Sequence, residues 1–125
     1  MEKLHIEATK YTPQIILDAQ EGRFVIQGKS YPENTFEFYK PVLAWIESYF
    51  QEPQPTTLIQ MEIIYFNSSS SKLFFDLFDM LEEYRDRSDI TIEWIYDEEN
   101  ESALEAGEDF IDDFDTLNIQ LIEKA

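Results

Sequence analysis

Leu58-Ile59-Gln60-Met61-Glu62-Ile63-Ile64-Tyr65-Phe66-Asn67-Ser68-Ser69-Ser70-Ser71-Lys72 joins a strand to a helix across a polar hinge. Ile59, Met61, Ile63 and Tyr65 alternate with Gln60 and Glu62, the period of a strand with two unlike faces. From Ile63 to Phe66 the alternation gives way to continuous apolarity, which predicts a central strand entering a sheet covered on both faces. Beyond the serines, Leu73, Leu77, Leu81 and Tyr84 recur at helical spacing, with Phe74, Phe78 and Met80 widening the stripe, so an amphipathic helix follows. The serines therefore sit where the first backbone N–H groups of a helix lack partners and its dipole is positive.

The flanks repeat this handover. Downstream, Ile90, Ile92, Trp94 and Tyr96 mark a further strand, and Asp97 to Glu101 turns into a third helix with a thin apolar side of Ala103, Leu104, Phe110 and Ile111. Leu117, Ile119 and Leu121 alternate as a closing strand. Upstream, Leu4 to Ala8, Gln14 to Ala19 and Arg23 to Gln27 read as extended, and Gln20-Glu21-Gly22 between two apolar runs predicts a hairpin. Asn34 with Glu37 three residues on has the form of a capping box. Tyr39, Val42, Leu43, Ile46, Tyr49 and Phe50 then mark one helical face. Pro41 predicts a late start or a kink in that helix, and Pro53 and Pro55 end it. The class is α/β: a single domain over residues 1–125, with a mixed central sheet, parallel in the middle, an N-terminal hairpin, about three helices and right-handed crossovers. Functional loops in such sheets follow the carboxyl ends of strands, as Phe66 to Ser71 does.

Composition narrows the function. Hydrophobic residues make up 43% and aromatics 15% of 125 residues, enough for a packed core. Cysteine is absent, which removes disulfides and thiolate chemistry. A formal charge of −18 repels phosphate backbones and anionic membranes, so neither nucleic acid nor membrane is an expected partner. A partner that exploits this field would be basic. No apolar run has the length of a membrane span, and a cytoplasmic location is the default expectation.

Catalysis finds no machinery. The single histidine, His5, stands in a strand-like context away from the serines, and no Gly-x-Ser-x-Gly elbow occurs. All three glycines lie outside the hinge, so no phosphate-cradling nucleotide loop forms there. Asp97, Glu98, Glu99 and Glu101 lack the spacing and glycine of a calcium loop, and Asp109, Asp112, Asp113 and Asp115 read as a solvated helix end. The chain is thus expected to be non-enzymatic, with no metal and no cofactor. Two readings of Ser68 to Ser71 stay open: a helix cap, or a modification site. A phosphoryl group there would add about −1.5 to −2 of charge, stabilised by the helix end by roughly 0.3–1 kcal/mol. Among the aromatics beside the serines, Phe74 and Phe78 are expected to pack on the sheet and Phe75 to face outward as a partner anchor.

Four motifs in order resemble one family across nearly the whole chain. They are Ser30-Tyr31-Pro32-Glu33-Asn34, Tyr65-Phe66-Asn67-Ser68-Ser69-Ser70 with Lys72, Phe78-Asp79-Met80-Leu81-Glu82-Glu83, and Trp94-Ile95-Tyr96-Asp97 with Asn100. The chain resembles the SiaC family of bacterial regulatory phosphoproteins, themselves similar to the STAS-type anti-anti-sigma-factor fold. That resemblance implies phosphorylation by a dedicated Ser/Thr kinase and dephosphorylation by a metal-dependent phosphatase. The unphosphorylated form would bind and activate a diguanylate cyclase, raising cyclic di-GMP and favouring biofilm formation. The acceptor after the motif's Asn falls on Ser68, with Ser69 and Ser70 ranked behind it; this chain has Ser where the family has Thr, and a further Ser71. Asn67, Ser69, Ser70, Lys72 and Phe75 are the expected partner contacts. The alternative function is an anti-anti-sigma antagonist that binds an anti-sigma Ser/Thr kinase.

Overall fold

A computed structural model describes residues 1–124. Its elements are β1 (Leu4–Ile6), β2 (Gln14–Asp18), β3 (Arg23–Ser30), α1 (Thr35–Tyr49), β4 (Thr56–Phe66), α2 (Ser68–Tyr84), β5 (Asp89–Asp97), α3 (Glu101–Asp113) and β6 (Asn118–Lys124). This is the order the sequence predicts, hairpin included. The six strands lie in one sheet in chain order, antiparallel from β1 to β3 and parallel from β3 to β6. The parallel run therefore reaches the β6 edge and is not confined to the middle.

Each helix connects neighbouring parallel strands, and each crossover advances in the same direction. Crossovers of one hand then stack all three helices on one face. Two rows of side chains cross the sheet beneath them: Leu4, Leu17, Phe24, Ile59, Ile92 and Ile119, and Ile6, Ile15, Ile26, Met61, Trp94 and Leu121. Phe24 meets Trp45 and Tyr49 of α1, Phe66 meets Phe74 of α2, and Trp94 meets Phe110 of α3. The opposite face carries a polar ladder in which Arg23 Nε donates to Gln60 Oε1 at 2.8 Å and Gln60 Nε2 to Glu93 Oε1 at 2.9 Å. The sheet is thus covered on one face, not both.

The apolar run Ile63 to Phe66 has a different cause. β4 parts from β5: their last register pair is Met61 with Trp94, after which β5 runs on to Asp97 beside β6 and β4 stays paired with β3 to Phe66. Ile64 and Tyr65 emerge exposed beyond this parting, and Phe66 turns back over α2. α1 begins at Thr35, capped by Asn34 Oδ1, which accepts the Glu37 N–H, and it runs through Pro41. Pro41 leaves the Glu37 carbonyl without its usual helical donor.

Gly22 closes the β2–β3 hairpin at φ +63, and a Cβ there would lie 2.6 Å from the Thr56 carbonyl oxygen. Its own carbonyl accepts the Leu58 N–H at 2.8 Å, so the turn also seats the start of β4. Gly22→Ala is expected to destabilise the protein by roughly 1–3 kcal/mol from the left-handed backbone alone, read as a lower urea midpoint at unchanged slope.

Candidate functional site

The hinge follows β4 at the carboxyl end of the parallel strands. Its cap is not a serine: Asn67 Oδ1 accepts the Ser70 N–H at 2.9 Å, and the Asn67 carbonyl accepts the Ser71 N–H at 3.0 Å. Ser68 is thereby the first residue of α2 and Ser69 the second. Both are exposed, and among the described residues their N–H groups find no acceptor. This is the local electrostatics that favours an anion. Lys72 stands one turn beyond Ser68, on the same helix face, and is exposed as well.

Ser70 behaves differently. Its hydroxyl is fully buried, 2.8 Å from Ser30 Oγ, which lies 2.6 Å from the Tyr39 hydroxyl. Burial pushes the Tyr39 phenol up to about 12 although the Ser30 bond pulls the other way, so it keeps its proton at any physiological pH. Ser30 also accepts the Asn67 N–H through its carbonyl, at 3.2 Å. Thus β3, α1 and the hinge meet at one buried hydroxyl cluster. Ser70 belongs to the fold here, and its expected places as a reserve acceptor and partner contact are corrected by that burial.

Beside the hinge lies a groove of about 440 Å³ between the first turns of α1 and α2. Asn67, Ser69 and Lys72 line it from one side, Glu33, Asn34 and Phe36 from the other. Phe36 is 60% exposed. On the neighbouring side, Tyr31 stands edge-on to both Tyr11 and Tyr65 with ring centroids 5.3 Å apart in each pair. Tyr11 is 51% and Tyr65 54% exposed, so this end of the sheet presents most of the large apolar side chains the surface shows.

Phe75 does not face outward. It is half-buried in the seam between α2 and α3, 5.1 Å from the Phe110 ring and 5.7 Å from that of Phe114. A third helix laid against the second claims the residue that a lone amphipathic helix would leave free. Asn67, Ser69 and Lys72 line one groove, joined by the α1 side, which the sequence reading did not include. The signal was there in Ser30-Tyr31-Pro32-Glu33-Asn34, of which only Asn34 has a role in the sequence reading, as a helix cap. His5 sits on the edge strand β1, opposite Ile16. Among the described residues, no group of three or more His, Cys, Asp or Glu side chains is placed to hold a metal ion, and no helix is long and apolar enough to cross a membrane.

Comparison with known proteins adds three findings. Residues 6–124 match the family described as SiaC family regulatory phosphoprotein. An uncharacterized protein of Pseudomonas aeruginosa (strain UCBPP-PA14) is 38% identical over 114 residues, 90% of each chain. The fold is similar to that of SiaC of Pseudomonas aeruginosa, with a TM-score of 0.89 at 33% identity over 99% of this chain and 100% of the other. It is equally similar to SiaC solved in complex with the diguanylate cyclase SiaD, whose activator that SiaC is, with a TM-score of 0.89 at 35% identity over 97% and 99%.

Proposed function

We propose that this chain, which belongs to the SiaC family of regulatory phosphoproteins, is a non-enzymatic switch that docks on a diguanylate cyclase when unphosphorylated and is released by a phosphoryl group on Ser68. The observation that carries the proposal is the sorting of the hinge hydroxyls: Ser68 is exposed at the first position of α2, while Ser70 is sealed in the core. Likeness over nearly the whole length to a SiaC solved on its cyclase supports the same class of partner. A dedicated Ser/Thr kinase would load Ser68 and a metal-dependent phosphatase would clear it. Docking would raise cyclic di-GMP output and favour biofilm formation.

Exposed aromatics beside the hinge supply the contact. Tyrosine is enriched among residues that dominate interface energetics, because it brings a large, stiff apolar area with a polar tip. Tyr65, held edge-on by Tyr31 and two residues before Asn67, is the strongest such anchor. Tyr65→Ala is expected to weaken cyclase binding at least about tenfold, in line with a truncation costing more than about 1.4 kcal/mol, with little effect on the melting temperature. Phe75→Ala is expected to do the reverse, losing stability more than binding.

The direct test treats the chain with its cognate kinase and ATP and maps the phosphate by peptide mass spectrometry. Wild type should carry phosphate on Ser68 and lose the cyclase in pull-down, and Ser68→Ala should stay unmodified and keep it. Binding that is indifferent to both treatments would place the switch elsewhere.

A further inference from the structure

The buried cluster under the hinge has the geometry of a selector. Ser30 grips the hinge twice: its carbonyl takes the Asn67 N–H at 3.2 Å, and its hydroxyl meets the Ser70 hydroxyl at 2.8 Å. Tyr39 of α1 backs that hydroxyl at 2.6 Å. No buried side-chain nitrogen or oxygen among the described residues lacks a hydrogen-bond partner, so every hydroxyl of this cluster has at least one. A hydrogen-bonded buried network favours one arrangement, and removing the Ser30 hydroxyl, its middle member, orphans both partners.

We infer that Ser30 and Tyr39 are positioning residues that narrow the choice of phosphoacceptor, by holding Ser70 inward while Ser68 stays exposed on the first turn of α2. This rests on the phosphoserine switch proposed above. Four consecutive serines are chemically near equal, so a kinase that reads a local run needs the substrate to present one of them. Here the substrate's own fold removes Ser70 from the choice. In the transfer, the Ser68 Oγ–phosphorus bond forms as the bond between the β and γ phosphates of ATP breaks. ADP departs with the electron pair, and the hydroxyl proton passes to a base of the kinase. Ser70 can enter that reaction only if its bond to Ser30 opens and the first turn of α2 rotates outward. Ser30→Ala or Tyr39→Phe makes that opening easier without touching any serine of the hinge.

A second buried hydroxyl cluster provides the control. Tyr49, Thr57 and Ser88 are linked at 2.8 and 2.6 Å at the opposite end of the sheet, and Ser88 donates to the Gln54 carbonyl at 2.7 Å. Thr57→Val breaks it and destabilises the fold far from the hinge. The experiment phosphorylates the full chain and its Ser30→Ala, Tyr39→Phe and Thr57→Val variants with the cognate kinase and ATP, and quantifies each phosphopeptide. Phosphate on Ser70 should rise at least about tenfold in Ser30→Ala, because orphaning the buried Ser70 hydroxyl weakens the closed hinge by about that factor, and to a lesser degree in Tyr39→Phe, where Ser30 keeps its bond to Ser70 and loses only the phenol behind it. In Thr57→Val the site distribution should match wild type. Hydrogen exchange at the Ser70 and Ser71 amides should quicken in the first two variants only. Phosphate confined to Ser68 in Ser30→Ala, or the same redistribution in Thr57→Val, overturns the selector and leaves the switch standing. A wild-type chain that takes no phosphate on Ser68 to Ser71 overturns both.

Discussion

Trp94→Ala is expected to cost the fold about 3–5 kcal/mol, a large part of the roughly 5–15 kcal/mol that holds a domain together. Trp94 is 1% exposed and fills the space between β5 and α3, in contact with the rings of Phe66 and Phe110. Its indole N–H donates to the Ala103 carbonyl at 2.8 Å, which ties the first turn of α3 to the sheet. Gly107 is the complement of that bulk: a Cβ there would stand 2.6 Å from both Trp94 Cδ1 and Leu121 Cδ2. Truncating the indole therefore opens a cavity that a helix with a thin apolar face cannot collapse to fill. Urea unfolding followed by circular dichroism should show the midpoint falling in proportion. α3, on losing its indole contact with β5, should also show the earliest amide exchange.

Phosphorylation of Ser68 is expected to weaken docking on the cyclase at least about 100-fold while moving the melting temperature by no more than about a few degrees. The two halves have separate causes. Within the chain, a phosphate at the first residue of α2 meets the unpartnered N–H groups of Ser68 and Ser69, with Lys72 one turn on, so it is accommodated locally at a gain of roughly 0.3–1 kcal/mol. Across an interface, about −1.5 to −2 of added charge on a chain already at −18 must be desolvated against apolar or acidic contacts, and like-charge juxtaposition costs several kcal/mol. Only about 2.8 kcal/mol is needed for the stated loss. The result is a change of surface and not of fold.

Element order was legible because each handover carries its own punctuation. Period-two runs end at Gly22, Asn67 and Asn100, and period-3.6 runs end at Pro53 and near Ser88. The layer arrangement was not legible. Whether a strand is covered on one face or two depends on the direction in which successive crossovers advance. Ile63 to Phe66 mimics a doubly covered strand because β4 parts from β5 after Met61 and exposes Ile64 and Tyr65 there. Similarly, Phe75 looked free because helical spacing reports one buried stripe, whereas α3 covers a second flank of α2.

At the hinge, the run of serines was visible and its division of labour was not. Asn67 takes the cap, which leaves Ser68 without a structural duty. Ser70 is drawn inward by Ser30, forty residues earlier, and by Tyr39 behind it. Local pattern does not report a contact across that separation. It is this contact that takes Ser70 out of a run whose first two hydroxyls, Ser68 and Ser69, stay exposed beside an aromatic surface.

Calorimetric titration of the partner cyclase with the unmodified chain and with chain phosphorylated on Ser68 tests the central claim most directly. Aspartate is a poor stand-in for phosphate, so the phosphoprotein itself is required. Tight binding by the unmodified form and at least about 100-fold weaker binding by the phosphoform is the predicted result. Equal affinity of the two forms would contradict it.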